Sequence, residues 1–386
     1  MSLLPVPTVS SVWMFHNPVR IRFGRGCRSW LADELTGCRL LVVTTQRGRQ
    51  QLVTDVLLAR LIETSDVIWI DRVRENPGVN DLQKEIDSLK GERFDAALAF
   101  GGGSSIDAAK VLVAALAPEC EALRLTEMLA DVELLGTVTQ KPLYAVPTTS
   151  GTGSEVTPFA TVWDYEYRKK MSLASANIFP YAACVDPELT DTVPLEVTLS
   201  TGLDAINQAA ESIWNRNATD LTICYANRAL HLGLSSLPRI VRGDGGAIVR
   251  DALAECSLLA GLAISHTRTA LCHSMSYPIT AHFGVPHGLA CAFTMVSVLR
   301  HNLKADDGRF LRLAASLTGR EDVGALERLF ESLVSDARVK ERVLARVGRQ
   351  EALLALAPEM LTPGRADNNL APVTPKDIER ILMDSL

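Results

Sequence analysis

Short apolar runs alternate with helix-like segments through the first half of the chain. Because the residues of each run are apolar at successive positions, the pattern predicts strands buried on both faces of a parallel sheet. From about residue 195 to the end, long helical patterns dominate and strand patterns nearly vanish. The sequence therefore predicts an α/β domain over residues 1–193 and an all-helical domain over residues 194–386. The predicted strands include those at 39–44, 66–70, 96–100 and 143–146.

The 386 residues carry a net charge of −6, and 47% of them are hydrophobic and 22% charged, as in folded proteins. No basic tract predicts binding to nucleic acid, and no apolar stretch of about 18 residues predicts a membrane span. Residues 1–13 lack the charged and apolar regions of a signal peptide. We therefore expect a cytoplasmic protein that acts on small molecules. Its eight cysteines, among them Cys291, show no C-x-x-C spacing and are expected to be free buried thiols.

Three consecutive glycines, Gly101–Gly103, connect the predicted strand at 96–100 to a helix that begins near Ser104. Glycines let the backbone approach a pyrophosphate, and a helix N-terminus offers free N–H groups. A second polar loop, at 147–155, follows the next strand. Both loops would face one crevice at the carboxyl edge of the sheet, which predicts a dinucleotide site. The standard G-x-G-x-x-G fingerprint is absent, and ordinary tight turns are the alternative interpretation.

A carboxylate, a carboxamide and two imidazoles form a candidate metal site in the second half. Asp204 and Gln208 stand four residues apart and share one helical face. His273 and His287 follow in later helices or loops. Such a set suits a divalent ion and leaves room for a substrate oxygen. A lone histidine is usually structural, so spacing alone leaves that alternative open.

A set of short segments along the whole chain carries a resemblance to a known family. The segments are 17–24, Asn76-Pro77, 101–110, 147–155, Lys169-Lys170, Asp186-Pro187, 202–208, 273–278 and 286–288. Together they make the chain similar to the iron-containing (group III) alcohol dehydrogenase family. The resemblance implies a dehydroquinate synthase-like architecture, with a dinucleotide-binding α/β domain, an all-helical domain, and metal and substrate in the cleft between them. It also implies a homodimer.

The resemblance also implies roles for single residues. The implied metal ligands are Asp204, Gln208, His273 and His287, with Fe²⁺ or Zn²⁺ as the ion. The family usually has histidine at the position of Gln208, and often a second histidine at that of Tyr277. A glutamine oxygen is a weaker, neutral donor, so metal-independent turnover is an alternative. The implied cofactor residues are Gly102, Gly103, Ser104, Asp107, Thr148, Thr149, Thr152 and Lys170.

Within the family, the combination of Gln208, Trp214-Asn215 and Ser276-Tyr277-Pro278 is similar to the phosphonoacetaldehyde reductases. This similarity implies reduction of phosphonoacetaldehyde to 2-hydroxyethylphosphonate in the biosynthesis of phosphonate natural products such as antibiotics. A phosphonate dianion needs cations or fixed donors. Arg268, with Thr267 beside it, is the predicted anchor, and a solvated arginine at a helix end is the alternative.

The predicted reaction is hydride transfer from a nicotinamide to an aldehyde polarised by the metal that His273 helps to hold. Thr45 stands where many family members have aspartate, and Arg47 and Arg49 follow it, which favours NADPH and leaves NADH possible. Tyr277 is a candidate proton donor, with His282 or a metal-bound water as alternatives. The other interpretation of Tyr277 is that it only packs and forms hydrogen bonds.

Three other functions stay open at the level of the sequence. The chain could be a family member that acts on another aldehyde or ketone. It could be a fold relative, a glycerol or sugar-phosphate cyclising enzyme, with bound zinc and NAD. It could also be a nucleotide-binding relative without turnover, which Gln208 makes worth testing.

Overall fold

The computed structural model describes residues 12–167 and 169–386. The described part leaves out residues 1–11. The prediction that residues 1–13 are not a signal peptide therefore falls mostly outside the described residues. Within the described part, six parallel strands form one sheet in the order β1-β8-β5-β4-β2-β3, and β6 and β7 form an antiparallel pair. The strands are β1 (Arg20–Phe23), β2 (Arg39–Val43), β3 (Asp66–Ile70), β4 (Ala96–Gly101), β5 (Leu143–Pro147), β6 (Phe159–Asp164), β7 (Lys169–Ala174) and β8 (Ala182–Val185).

Helices cover both faces of the parallel sheet, which explains why its central strands are apolar at successive positions. Strand β4 lies between β2 and β5 and is buried along its whole length. One face packs against Leu31, Leu52 and neighbouring side chains, and the other against Ile106 and its neighbours. The helices of this half are α1 (Trp30–Leu35), α2 (Gln46–Thr54), α3 (Ala59–Thr64), α4 (Val79–Leu89), α5 (Gly103–Ala115), α6 (Leu125–Ala130) and α7 (Val132–Leu135).

The second half is helical and has its own large core, in which Trp214 lies between the rings of Phe310 and Phe330. The predicted fold class, a parallel α/β part followed by an all-helical part, is confirmed. The predicted boundary at 193/194 falls between β8 and the first of these helices, and the division into two domains stays a prediction. The helices are α8 (Leu195–Ile213), α9 (Asp220–Val241), α10 (Ala247–Thr267), α11 (Leu271–Phe283), α12 (His287–Asn302), α13 (Arg309–Thr318), α14 (Val323–Asp336), α15 (Val339–Val347), α16 (Gln350–Leu354) and α17 (Pro375–Ser385).

Two glycine contacts bring the elements of the site close together. A Cβ at Gly288, in the first turn of α12, would overlap the carbonyl oxygen of Ser200 on α8. A Cβ at Gly153, whose φ is +61°, would overlap the backbone of Gly261 on α10. Glycine is therefore required where α12 meets α8 and where the loop after β5 meets α10. None of the helices in the described part of the chain is long and apolar enough to cross a bilayer.

Candidate metal centre and cofactor cleft

Three helices bring Asp204, His273 and His287 together. Asp204 lies on α8, His273 in the first turn of α11, and His287 at the start of α12. Oδ1 of Asp204 lies 3.2 Å from Nε2 of His273 and 4.0 Å from Nε2 of His287. The close packing of Gly288 on α8 permits this approach. Three of the four predicted metal ligands therefore direct donor atoms at one point.

Glu211 orients His273. Its Oε2 accepts a hydrogen bond from Nδ1 of His273 at 2.7 Å, and the same carboxylate accepts the backbone N–H groups of Ala270 and His273. Because Nδ1 donates to Glu211, Nε2 is the nitrogen that faces Asp204, and it would bind a metal ion once its own proton is lost. A carboxylate behind a histidine is the usual way to fix a metal-ligating ring. The sequence pattern does not predict Glu211, although it stands one helical turn beyond Gln208 on α8.

Ser276 and Tyr277 orient His287. The Ser276 hydroxyl donates to the carbonyl oxygen of His273 at 2.8 Å and lies 3.4 Å from Nδ1 of His287. The oxygen of that hydroxyl can therefore accept a hydrogen bond from the Nδ1–H group of His287. Nε2 of His287 is then the nitrogen that faces Asp204. The ring of Tyr277 stacks on that of His287, with centroids 6.0 Å apart and planes 16° apart.

Gln208 and Cys291 complete the ring of donors. Gln208 is buried, and within the described residues its Oε1 has no hydrogen-bond partner. Cys291 stands one turn after His287 on α12, and its Sγ lies 3.8 Å from Nε2 of His287. Donor atoms of Asp204, His273, His287 and Cys291 all lie within 4.8 Å of one another. The i, i+4 spacing from His287 is the signal that could have singled out this cysteine.

The donor set fits a divalent metal ion. It combines a carboxylate, two imidazoles, a thiol and a buried amide oxygen without a partner. Hydrogen bonds at the Nδ1 atoms hold the two imidazole rings in place. Imidazole, thiolate and carboxylate suit Zn²⁺ and Fe²⁺ better than Mg²⁺ or Ca²⁺. A buried polar atom without a partner is costly unless a ligand satisfies it, which is the situation of Gln208 Oε1.

The N-terminus of α5 forms the opposite wall of the same cleft. Helix α5 begins at Gly103 without a side-chain cap among the described residues, so its first N–H groups are free to bind an anion. A Cβ on Gly103 would clash with the side chain of Thr152, because the loop after β5 packs closely on this helix end. The predicted cofactor residues that line the cleft are Gly103, Ser104, Asp107, Thr152 and Lys170.

The other predicted cofactor residues lie outside that lining. Gly102 sits beside Thr149, whose Oγ1 would be 3.0 Å from a Cβ on this glycine. The N–H of Thr148 donates to the carbonyl oxygen of Gly101 at 2.9 Å. Thr45 caps α2 by accepting from the N–H of Gly48 at 3.0 Å. Their place beside a bound cofactor stays a prediction.

A buried network supports the cofactor wall from behind. Asp107 accepts the hydroxyl of Ser154 and, at 2.8 Å, the N–H of Thr161, and burial raises the pKa of its carboxyl. Lys110, fully buried one turn away, donates to the carbonyl oxygens of Thr157 and Phe159 at 2.8 Å each. Burial lowers the pKa of Lys110 to about 8. These bonds tie α5 to the 154–161 segment, and the sequence pattern does not predict this role for Lys110.

Two cations and Tyr277 line the cleft next to the metal ligands. The Nζ of Lys170 lies 4.1 Å from the centroid of the Tyr277 ring. Burial opposes ionisation of Tyr277, but the positive charges around it, those of Lys170, Arg365 and the two protonated site histidines, lower its pKa to about 7. Arg365 also lines the cleft, and no sequence motif singles it out. His282, the alternative proton donor, instead pairs with Glu359 at 2.9 Å.

Arg268 and Thr267 do not lie in the cleft lining. Thr267 is buried, and its hydroxyl bonds to the carbonyl oxygen of Arg268 at 2.9 Å and to Ser212 at 3.1 Å. Arg268 ends α10 with a positive φ of 59°, and the next residue, Thr269, is the one that reaches the cleft. Thr267 thus has its hydroxyl engaged within the protein, and a substrate role for either residue stays a prediction.

Comparison with protein families matches residues 18–187 to iron-containing alcohol dehydrogenases and residues 198–386 to the C-terminal part of the Fe-containing alcohol dehydrogenase family. The chain belongs to the iron-containing alcohol dehydrogenase family. The predicted family is thereby confirmed, and with it the prediction of an oxidoreductase of the alcohol dehydrogenase type. The family models end and begin on either side of the strand-to-helix change described above.

Curated relatives in this family differ in how much of the chain they match. Phosphonoacetaldehyde reductase from Streptomyces viridochromogenes is 38% identical over 218 residues, which is 55% of this chain and 55% of that protein. The match thus spans about half the length of this relative. NADPH-dependent butanol dehydrogenase from Clostridium saccharobutylicum is 32% identical over 83% of this chain and 81% of its own length.

One solved structure matches almost the whole chain. Sulfoacetaldehyde reductase from Bifidobacterium kashiwanohense, solved in complex with NAD⁺, has a TM-score of 0.85 and 28% identity. The match covers 97% of this chain and 99% of that one. The arrangement of a parallel α/β part and a helical part is therefore shared along the full length of both chains.

Proposed function

We propose that this iron-containing alcohol dehydrogenase reduces phosphonoacetaldehyde to 2-hydroxyethylphosphonate with NADPH. The observation that carries the proposal is the composition of the cleft, where Arg365 and Lys170 lie beside the metal-ligating group. An aldehyde that carries an anionic group needs both a polarised carbonyl and nearby cations. The similarity to a relative named phosphonoacetaldehyde reductase supports the same substrate.

A divalent ion held by Asp204, His273 and His287, with the oxygen of Gln208 beside them, would act as a Lewis acid on the aldehyde, and NADPH would supply the hydride. The protein positions the donors for this role. Glu211 and Ser276 fix the two imidazole rings, so little reorganisation accompanies substrate binding.

The free N–H groups at the start of α5 are positioned to hold the cofactor diphosphate, with the Thr152 loop behind them. NADPH is proposed because Thr45 stands where many family members have an aspartate, so no carboxylate at this position would repel the 2′-phosphate on the cofactor ribose. One observation weakens the preference, because Arg49 is already paired with Asp71 at 2.7 Å and lies over the ring of Trp69. Arg47 is exposed nearby, so NADH use at a lower rate is expected.

Tyr277 is the proposed proton donor to the product oxygen. Its ring stacks on His287 and lies under the Lys170 ammonium, which stabilises the phenolate that remains after proton transfer. A protonated tyrosine beside a cation can therefore release its proton at neutral pH.

The test is a comparison of kcat/KM for phosphonoacetaldehyde, sulfoacetaldehyde and butanal, each with NADPH and with NADH. The proposal predicts the highest value for phosphonoacetaldehyde with NADPH, because a dianion gains most from two cations. A preference for butanal would instead assign the chain to another branch of the family. Absence of turnover with all three aldehydes, although the nucleotide binds, would indicate a turnover-deficient relative.

A second candidate is the reduction of a different small anionic aldehyde. The same two cations favour it, and so does the full-length structural similarity to a protein named sulfoacetaldehyde reductase. The comparison of the phosphonate with the sulfonate separates the two candidates, since the headgroups differ mainly in charge. A partner copy of the chain stays a prediction.

A further inference from the structure

We infer that Cys291 is a thiolate ligand of the metal in preference to Gln208, so that a substrate oxygen would enter as a fifth ligand. The inference rests on the metal site of the proposed function and is independent of which aldehyde is reduced. The observations that carry it are the distances among four donor atoms and the placement of Cys291 on the same helical face as His287.

The donors are gathered closely enough for one coordination shell after side-chain adjustment. Ligands at about 2.1 Å for nitrogen and oxygen, and about 2.3 Å for sulfur, lie about 3.4 to 3.6 Å apart in a tetrahedron. Asp204 lies 3.2 Å from His273 and 4.0 Å from His287, and no pair of the four donors is more than 4.8 Å apart. Cys291 Sγ lies 3.8 Å from Nε2 and 3.9 Å from Nδ1 of His287, so side-chain rotations of about 1 Å at the donor atoms are needed to place all four around one ion.

Charge also favours the thiolate. Asp204, two neutral imidazoles and the neutral amide of Gln208 would leave a buried divalent ion with one uncompensated positive charge. Adding the Cys291 thiolate neutralises it, and neutral pairing is strongly favoured where water is excluded. Cys291 and Asp204 are both almost fully buried. The chain therefore offsets the weak donor at Gln208 with a strong one on the facing helix.

Cys291 is the one cysteine of the described residues that belongs to this group of donors. The thiol of Cys272 is also buried and precedes His273 in the chain, but it lies outside the group. Cys272 therefore provides a matched control for the loss of a buried thiol near the same metal ion. A soft thiolate ligand would increase the affinity for Zn²⁺ relative to a site made of nitrogen and oxygen donors only.

The test replaces the native metal with Co²⁺ and records the ultraviolet and visible spectrum of the full-length protein. Sulfur-to-cobalt charge transfer gives an intense near-ultraviolet band that nitrogen and oxygen ligands do not produce. We expect this band in the native protein, in Cys272→Ser and in Gln208→Ala. We expect its loss in Cys291→Ser, together with cobalt affinity at least about 10-fold weaker.

X-ray absorption of the zinc-loaded native protein gives the same information without a substitution, in case Cys291→Ser does not fold. One sulfur at about 2.3 Å from zinc would support the inference. A shell of nitrogen and oxygen only, or a charge-transfer band that persists in Cys291→Ser, would overturn it. A protein that shows the sulfur ligand but does not reduce phosphonoacetaldehyde would refute the proposed substrate and leave this inference standing.

Discussion

At the scale of single residues, the site depends on side chains that hold the ligands as much as on the ligands. Glu211 is fully buried and accepts three hydrogen bonds from the first turn of α11, one of them from the His273 ring. This carboxylate sets both the ring orientation and the tautomer of His273. Ser276 has the equivalent position behind His287.

Replacing Glu211 by glutamine should weaken metal binding by roughly 10- to 100-fold, as is usual for the loss of a partner behind a ligating histidine. The amide keeps the shape of the side chain but has only one oxygen for the three donors it now faces. Competition with a chelator of known affinity measures the effect. Metal affinity unchanged from the native protein would show that Glu211 serves the helix start alone.

Recognition of the phosphonate is also proposed to depend on a single residue. Arg365 is the proposed cation because it lines the cleft, whereas Arg268 does not. Arg365→Ala should raise KM for phosphonoacetaldehyde roughly 10- to 100-fold, since a hydrogen bond to a charged group contributes about 1.5 to 3 kcal/mol. KM for butanal should change little. Arg268→Ala is the matched control, and a larger effect there would restore Arg268 as the anchor.

At the scale of secondary-structure elements, the metal site depends on how closely α12 packs against α8. Gly288 lies against the Ser200 carbonyl, one turn before Asp204 on α8, so any side chain at this position would push the two helices apart. His287, the preceding residue, would then move away from Asp204. A glycine directly beside one metal ligand in the sequence thus sets the distance between two of the ligands.

Gly288→Ala is therefore expected to lower the free energy of unfolding by about 1 to 3 kcal/mol, as overpacking does, and to weaken metal binding as well. Urea denaturation of the metal-free protein separates the first effect from the second. Gly245→Ala provides the control, because the nearest atom to its added Cβ is 4.0 Å away. Equal metal affinity in the native protein and Gly288→Ala would contradict this role.

At the scale of the whole molecule, strand and helix patterns predicted most of the architecture but not the placement of every cleft residue. The buried strand β4 and the glycines after it follow directly from local sequence, because apolar runs and turn residues act locally. The strand order and the hairpin that carries Lys170 depend on pairings between distant segments. Arg365 reaches the cleft from a segment near the C-terminus for the same reason.

Stability as a function of pH is also a property of the whole molecule, and Glu155 should contribute to one part of it. Burial raises the pKa of its carboxyl to about 7, even though Lys110 lies near. A carboxyl that binds its proton more tightly when folded favours the folded state at low pH, so stability should fall as pH rises from about 4.5 to about 7.

Glu155→Gln keeps a neutral side chain of the same shape and should remove the part of this fall that Glu155 contributes. Above pH 7 the variant should be more stable than the native protein by up to about 3 kcal/mol, and near pH 5 the two should be alike. Denaturation at both pH values measures the difference. A variant that is equally destabilised at pH 5 and pH 8 would show that the carboxylate is needed in its charged form.

In the proposed function, one cleft joins a metal centre to a nicotinamide site for the reduction of an anionic aldehyde. The most direct test of this function is the rate of NADPH oxidation with phosphonoacetaldehyde, measured on the native protein, after removal of metal by a chelator, and after addition of Fe²⁺ or Zn²⁺. We expect the rate to fall at least roughly 100-fold when the metal is removed, because a Lewis acid contributes several kcal/mol, and to recover when the metal is added. An unchanged rate in the metal-free protein would contradict the proposed function.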